Sequence, residues 1–505
     1  MSRNVWMGID IGTSGAKCLL VDEHGTPLAR AVKGYPLATP RPGWAEQRPE
    51  DWVEAGFACI REALAASGLP AASVAGIACS GQMHGLVALD ADGRVIRPAI
   101  LWCDQRTEKQ CAEITETAGG REALLRLTNN EMLTGYTGGK LLWLREEEPE
   151  HFAAMTGFLC PKDYLRFRLT GVRTMDVSEA SGTGLMDTRR RAWCWELIDA
   201  LELDRSLFPP LCEATDPAGC VTAEAAAATG LLPGTPVFAG GGDAVVQSFG
   251  SGLVSEGTVG TVIGTAGNVS MGFSAWRENP GGRLQAFCGI GKSAWMSFGA
   301  TQTAGGALRW FRDEACRDLK TQAAAEGRDI WDVINEIAAS SPPGANGVVF
   351  APYLSGERCP YPDASARGVL YGLSLSTTRA DMLRGVMEGI VCSLRQIVDI
   401  YRFFVPVEAV IASGGGAASP LFLQMQADQI GLPVRTVSCA AEGGAYGAAL
   451  IAGLGLGAFH TPAEAVAHLR TEREVLPDPA GREAAVKTFE IYRRLYPALR
   501  ECYHL

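Results

Sequence analysis

No Cys-x-x-Cys pair occurs among the fifteen cysteines of this 505-residue chain, and the closest spacing, as between Cys103 and Cys111, is eight residues. That excludes a zinc ribbon and a short-loop disulfide framework, leaving the cysteines as small apolar side chains of a reducing compartment. Positive charge is in deficit, with 45 Lys+Arg against 56 Asp+Glu and a net charge of −11, so nothing draws the chain to nucleic acid or an anionic membrane. No segment reaches the ~18 uninterrupted apolar residues of a membrane span, and Met1-Ser2-Arg3-Asn4-Val5-Trp6 lacks the apolar run of a signal peptide. A cytoplasmic protein without membrane or nucleic-acid partners is the expectation. Charged residues are only 20% while apolar ones reach 47%, which excludes a disordered chain. At about 150 residues per domain the length admits two large domains or three smaller ones.

What the chain has in abundance is glycine, 60 residues, and the glycines carry an internal repeat. Ile11-Gly12-Thr13-Ser14-Gly15 returns 252 residues later as Ile263-Gly264-Thr265-Ala266-Gly267. Each copy ends a β-rich run (5–11; 258–263) and enters another (16–21; 268–273), so each reads as a β-hairpin with a tight Gly-Thr tip opening one half of the protein. Helical periodicity over 49–66 and 379–401, with strand-like runs at 74–80, 86–89, 348–352 and 409–412, makes both halves α/β. The predicted domains are 1–253 and 254–505, with a cleft between them as the default ligand site.

Four motifs carry chemistry. The first hairpin presents successive backbone N–H groups and the Thr13 and Ser14 hydroxyls beside Gly12, an anion nest for phosphate with Lys17 following. Asp10, feeding that tip, is placed to hold Mg²⁺, which favours one or two carboxylates plus phosphate and water; the second copy has Val262 there. Gly240-Gly241-Gly242-Asp243 follows the apolar Pro236-Val237-Phe238-Ala239, and its carboxylate is the candidate general base for a sugar hydroxyl. Ser80-Gly81-Gln82-Met83-His84-Gly85 and Trp102-Cys103-Asp104-Gln105-Arg106 supply a hydrogen-bonding ring, an apolar packing group, an aromatic face and a charged pair suited to a neutral sugar. Finally, Ser413-Gly414-Gly415-Gly416-Ala417-Ala418-Ser419-Pro420 joins a strand to a helix capped by Ser419 and stopped at Gly431. A nucleotide can lie against such a backbone, although the P-loop and dinucleotide fingerprints are both missing.

Taken together these strings resemble the FGGY family of carbohydrate kinases over nearly the whole chain. The family's first pattern is matched around Gly135-Tyr136-Thr137-Gly138-Gly139-Lys140-Leu141-Leu142-Trp143, and its second from Gly368 to Glu388 with Gly385 departing from the usual alanine or serine. The resemblance implies two ribonuclease H-like domains of the actin/Hsp70-like ATPase type, with ATP and Mg²⁺ as cofactors and a small sugar as partner. It implies Asp243 and Asp10 as catalytic carboxylates, Asp10 toward the metal, and Gln82, Met83, His84, Trp102, Asp104 and Arg106 as sugar-side residues. Gly12, Thr13, Ser14, Lys17, Gly264, Thr265, Gly305, Gly415, Gly416 and Ser419 would serve ATP. The acceptor it points to is D-xylulose, with gluconate or ribulose as alternatives; a homodimer is compatible. An actin- or Hsp70-like nucleotide switch is the reading from another class, and the sugar motifs at 81–84 and 102–106 weigh against it. Ala244, where relatives often have asparagine, and Ala266, where many have serine, are departures beside the two sites.

Overall fold

The computed structural model describes residues 5–505 and separates into two compact units. The first takes in the chain up to Val254 together with Gly272–Ser297 and Glu442–Leu469; the second consists of Ser255–Met271, Phe298–Ala441 and Arg470–Leu505. The chain therefore returns to the first unit twice after the second repeat begins.

The first unit is built on a six-stranded sheet. Its strands are β1 (Val5–Ile11), β2 (Gly15–Asp22), β3 (Pro27–Gly34), β4 (Val74–Gly81), β5 (Pro217–Cys220) and β6 (Pro236–Gly242), in the order β5-β6-β4-β1-β2-β3. β1 pairs antiparallel with β2 and parallel with β4, and β6 joins β4 in parallel. Both faces of β1 are covered, which is why it reads as an almost unbroken apolar run. On one side Trp52, Cys59 and Ile60 of the helix Pro49–Ser67 pack with Ile9 and Ile11. On the other the helix Gly443–Gly455 comes so close that a Cβ on Gly8 would sit 1.8 Å from the Ala445 carbonyl oxygen. Glycine and alanine dominate that helix because the sheet leaves no room for more.

The second unit repeats the plan. β7 (Gly257–Ile263) and β8 (Gly267–Phe273) form the second hairpin, and β7 pairs in parallel with β9 (Val407–Ser413). β10 (Val434–Val437) continues the sheet in parallel and β11 (Thr471–Val475) closes it antiparallel. Hairpin, then parallel neighbour, is the arrangement of β1, β2 and β4, so the half-length repeat in the sequence is a structural one. These are ribonuclease H-like sheets of the actin/Hsp70-like kind. The helix Arg379–Arg402 buries Leu383, Val386, Ile390 and Leu394 and opens with a capping box between Thr378 and Asp381. All fifteen cysteines are unpaired.

Candidate active site

Asp10 is the one residue of β1 whose burial is incomplete. Its register neighbours are Lys17 on β2 and Ser80 on β4, and Ser80 Oγ donates to Asp10 Oδ1 at 2.8 Å. Burial raises the carboxyl pKa, opposed by the Ser80 bond and the Lys17 charge. The helix Gly443–Gly455 backs directly onto this pair, because a Cβ on Gly444 would lie 2.5 Å from Ser80 Oγ and 2.6 Å from Asp10 Oδ1.

Gly240–Gly242 end β6, and Asp243 is the first residue of the helix Asp243–Gly250. The glycines are needed for closeness. Gly240 has φ of 72° and a Cβ there would overlap the Cys79 carbonyl oxygen at 1.7 Å, while one on Gly242 would meet Met83 at 2.6 Å. Asp243 Oδ1 accepts the Ala244 N–H at 2.7 Å. Burial first, and then the negative charge of Asp10, push the Asp243 carboxyl up to about 7. Tyr35, whose hydroxyl donates to the Gly12 carbonyl, is raised by its burial and by both carboxylates. Sequence reading missed Tyr35, Ser80 and Gly444, since only the folded sheet brings them to Asp10.

On the acceptor side, Met83 is buried against Gly242, and His84 holds a left-handed φ of 69°, uncommon outside glycine. His84 Nδ1 lies 2.8 Å from the Gly182 carbonyl oxygen. A carbonyl only accepts, so Nδ1 carries the hydrogen. The ring sits 4.8 Å from Tyr136 and 6.0 Å from Phe287. Trp102 is 42% exposed and its Nε1 donates to Thr13 Oγ1 at 2.9 Å, tying the phosphate tip to the sugar loop.

Three residues expected on the sugar side, Gln82, Asp104 and Arg106, make hydrogen bonds inside the unit. Gln82 Nε2 donates to Gln47 Oε1 at 2.9 Å, and Gln47 Nε2 in turn donates to the Thr13 carbonyl at 2.8 Å, so this amide pair shapes the tip. Asp104 receives the Arg106 fork at 2.9 and 2.7 Å and the Ala45 N–H at 2.7 Å. Arg106 also meets Glu46 at 2.8 Å and stacks 3.5 Å over Trp44. These bonds tie the 44–47 and 102–106 loops together, while Gln82 Oε1 and Arg106 Nη1 keep no hydrogen-bond partner among the described residues. Lys17 likewise turns toward Glu442, whose carbonyl it reaches at 3.4 Å and whose carboxylate at 3.7 Å.

In the second unit Gly264, Thr265, Gly305, Gly415, Gly416 and Ser419 all line one cavity of about 680 Å³. The glycines again mark close approach: a Cβ on Gly305 would fall 2.5 Å from the Gly264 carbonyl oxygen, and one on Gly416 2.6 Å from Ile263 Cβ. Ser419 caps its helix through the Phe422 N–H at 3.2 Å and donates to Asn335 Oδ1 at 2.8 Å. Arg309 donates to the Thr265 hydroxyl at the tip, and Arg312 stacks 4.7 Å over Trp331. Arg309, Trp331 and Asn335 lie on helices whose sequence gave no motif. The cavity thus joins cations and backbone N–H groups at one tip to an aromatic and amide surface, a lining that suits a nucleoside polyphosphate.

The two sheets and this paired chemistry define a phosphotransferase on the actin/Hsp70-like ATPase scaffold. The family model described as "FGGY family of carbohydrate kinases, N-terminal domain" matches residues 5–250, and the C-terminal domain model matches 259–456. A xylulose kinase of Bacillus subtilis is 38% identical, with 97% of this chain and 96% of that protein covered. Among solved structures, a xylulose kinase from Rhodospirillum rubrum superposes with a TM-score of 0.90 at 30% identity, covering 99% and 100% of the two chains. A gluconate kinase from Lactobacillus acidophilus gives 0.91 at 25% identity, with 100% and 99% covered. The chain belongs to the FGGY family of carbohydrate kinases, and it is an ATP-dependent carbohydrate kinase.

Proposed function

We propose that the acceptor is D-xylulose and that the product is D-xylulose 5-phosphate, made by in-line transfer of the ATP γ-phosphoryl group to a hydroxyl deprotonated by Asp243. The observation that carries the mechanism is the setting of Asp243, whose burial, reinforced by the negative charge of Asp10, holds its carboxyl near neutrality, where a general base works best. The hydroxyl proton passes to an Asp243 carboxylate oxygen as its oxygen bonds to phosphorus and ADP leaves. His84 Nε2 accepts from a sugar hydroxyl, Met83 packs on the carbon chain, and Trp102 offers its exposed face. Residues 1–253 carry the sugar and base chemistry and 254–505 the nucleotide, a division supported by the distribution of these motifs.

Among the described residues no group of three or more His, Cys, Asp or Glu is arranged to hold a metal unaided. The donor set nonetheless fits Mg²⁺ arriving with ATP, because Asp10 and Asp243 repel each other and a cation relieves that repulsion while taking most of its ligands from phosphate and water. Asp10 would hold it; when bound, Mg²⁺ supplies charge neutralisation at the β- and γ-phosphates. The acceptor assignment rests on the 38% identity to a xylulose kinase across nearly the full chain.

A coupled ADP-release assay over pentuloses, hexuloses, polyols and aldonates tests it. D-xylulose should give the highest kcat/KM, and His84→Ala should raise its KM while leaving that for ATP little changed. Gluconate turnover exceeding that of D-xylulose would overturn the acceptor and leave the family untouched.

A further inference from the structure

Between the sugar loop and the base stands a short buried helix, Val177–Ser181, that the reaction scheme leaves unused. Its side chains bond to both. Ser178 Oγ accepts the Gly242 N–H at 2.9 Å, immediately before Asp243, and donates onward to Asp176 Oδ2. That carboxylate also caps the helix through the Ser178 N–H at 2.7 Å, and its other oxygen meets the buried Lys162 ammonium at 2.6 Å. Lys162 and Arg166 in turn hold Asp163 at 2.5 and 3.0 Å, so the anchor beneath Ser178 is a network of fully buried charges. Toward the sugar loop, Glu179 Oε2 accepts the His84 N–H at 3.4 Å and the Gly182 carbonyl accepts His84 Nδ1–H at 2.8 Å.

The clearances on either side are equally tight. A Cβ on Gly241 would come 2.9 Å from Ser178 Oγ, and one on Gly182 would come 2.3 Å from His84 Nδ1. The strand Gln285–Cys288 is tied in as well, because Ser181 Oγ accepts the Cys288 N–H at 3.0 Å.

We infer that the segment Asp176–Gly182 is a clamp that sets the acceptor loop and the catalytic base in register, with Ser178 positioning Asp243 and Gly182 positioning His84 and fixing its tautomer. The inference rests on the proposed roles of Asp243 and His84 and extends them to residues that need not touch substrate. A buried salt-bridge network is a costly way to stabilise a fold, but it makes a stiff anchor. Misplacing a reacting group by 1 Å can cost about 10²-fold in rate, which gives such stiffness a function.

The two arms of the clamp should separate kinetically. In the full-length enzyme with D-xylulose and Mg-ATP, Ser178→Ala should lower kcat by about 10- to 100-fold with both KM values nearly unchanged, and Ser178→Thr, which keeps the hydroxyl, should restore most of the rate. Gly182→Ala should instead raise the KM for the sugar several-fold more than it changes kcat. Gly241→Ala, crowding Ser178 from the opposite side, should reproduce the kcat loss and serves if Ser178→Ala does not fold. Loss of rate in Asp243→Asn with full kcat in a folded Ser178→Ala or Gly241→Ala protein overturns the clamp alone; full rate in both overturns the base assignment along with it. A merely structural role would lower the melting temperature and the active fraction with kcat per folded molecule and both KM values intact, and that result also overturns the clamp.

Discussion

Burial makes a carboxyl harder to ionise, and a second carboxylate beside it makes it harder still; the proposed role of Asp243 turns on those two residue-scale effects, in that order. With Asp243 near 7, log kcat/KM should climb with unit slope through about pH 7 and then level, because this parameter reports the free enzyme's base. Asp10→Asn removes a like charge, so the carboxylate form of Asp243 is favoured and the residual activity's acid limb should move to lower pH. A limb that stays in place in that variant excludes the coupling. The same shift has a sign in stability. The native Asp243 pKa lies above the ~3.9 of an unfolded aspartate, so the native state binds the extra proton between about pH 4 and 7 and loses stability as pH rises through that window. Asp243→Asn carries no such penalty. Its melting temperature relative to the wild type should therefore improve from pH 4 to pH 8, and an offset independent of pH would show that the carboxyl is not desolvated. Asp10, Asp243, Met83 and His84 could be singled out in the sequence because each lies in a glycine-flanked string at or just after a strand end. The bonds of Gln82, Asp104 and Arg106 inside the unit could not be read from it, because whether a polar side chain meets a buried partner such as Gln47 or Trp44 depends on loops tens of residues away.

At the scale of elements, both hairpins, the long helix 379–402 and the Ser419-capped helix 420–430 were legible, since apolar period, capping side chains and glycine stops are local signals. The return of the helix Gly443–Gly455 to the first unit was not, although its composition held a trace of it: five glycines and four alanines in thirteen residues suit a helix pressed against a sheet. With the role proposed for Asp10, that contact would bear on catalysis as well as packing. Gly444→Ala would drive a methyl into Ser80 Oγ and Asp10 Oδ1, whereas Gly453, facing Trp6 and Phe459, is remote from both carboxylates. Gly444→Ala should thus cut kcat by at least tenfold and raise the Mg²⁺ concentration needed for half-maximal rate, while Gly453→Ala, which also crowds side chains, should affect stability more than Mg²⁺ dependence. Equal Mg²⁺ titrations for the two would mean that the helix supports the sheet without setting the geometry of Asp10.

For the whole molecule, the repeat has been divided in use. Both tips keep the Gly-Thr pair, yet only the first copy retains the aspartate and only the second is lined by Arg309, Trp331 and the Ser419-capped turn. Val262 stands in the second copy at the place of Asp10, beside the cavity proposed for the nucleotide. Among the described residues no helix is long and apolar enough to cross a membrane. Hydrogen exchange on the purified chain reads out the proposed division of the two halves. A non-hydrolysable ATP analogue with Mg²⁺ but no sugar should slow exchange in 263–266, 305–312 and 415–422, the segments lining the cavity, because bound ligand suppresses the local openings through which amides exchange. D-xylulose alone should slow exchange in 82–86, 178–184 and 241–245. The aromatic wall supplies an internal control: Trp331→Ala should weaken the nucleotide-dependent protection while leaving that caused by sugar intact. Nucleotide protection confined to 82–86 and 241–245, with none at 263–266 or 415–422, would reverse the assignment of the two halves and remove the cavity from the nucleotide site.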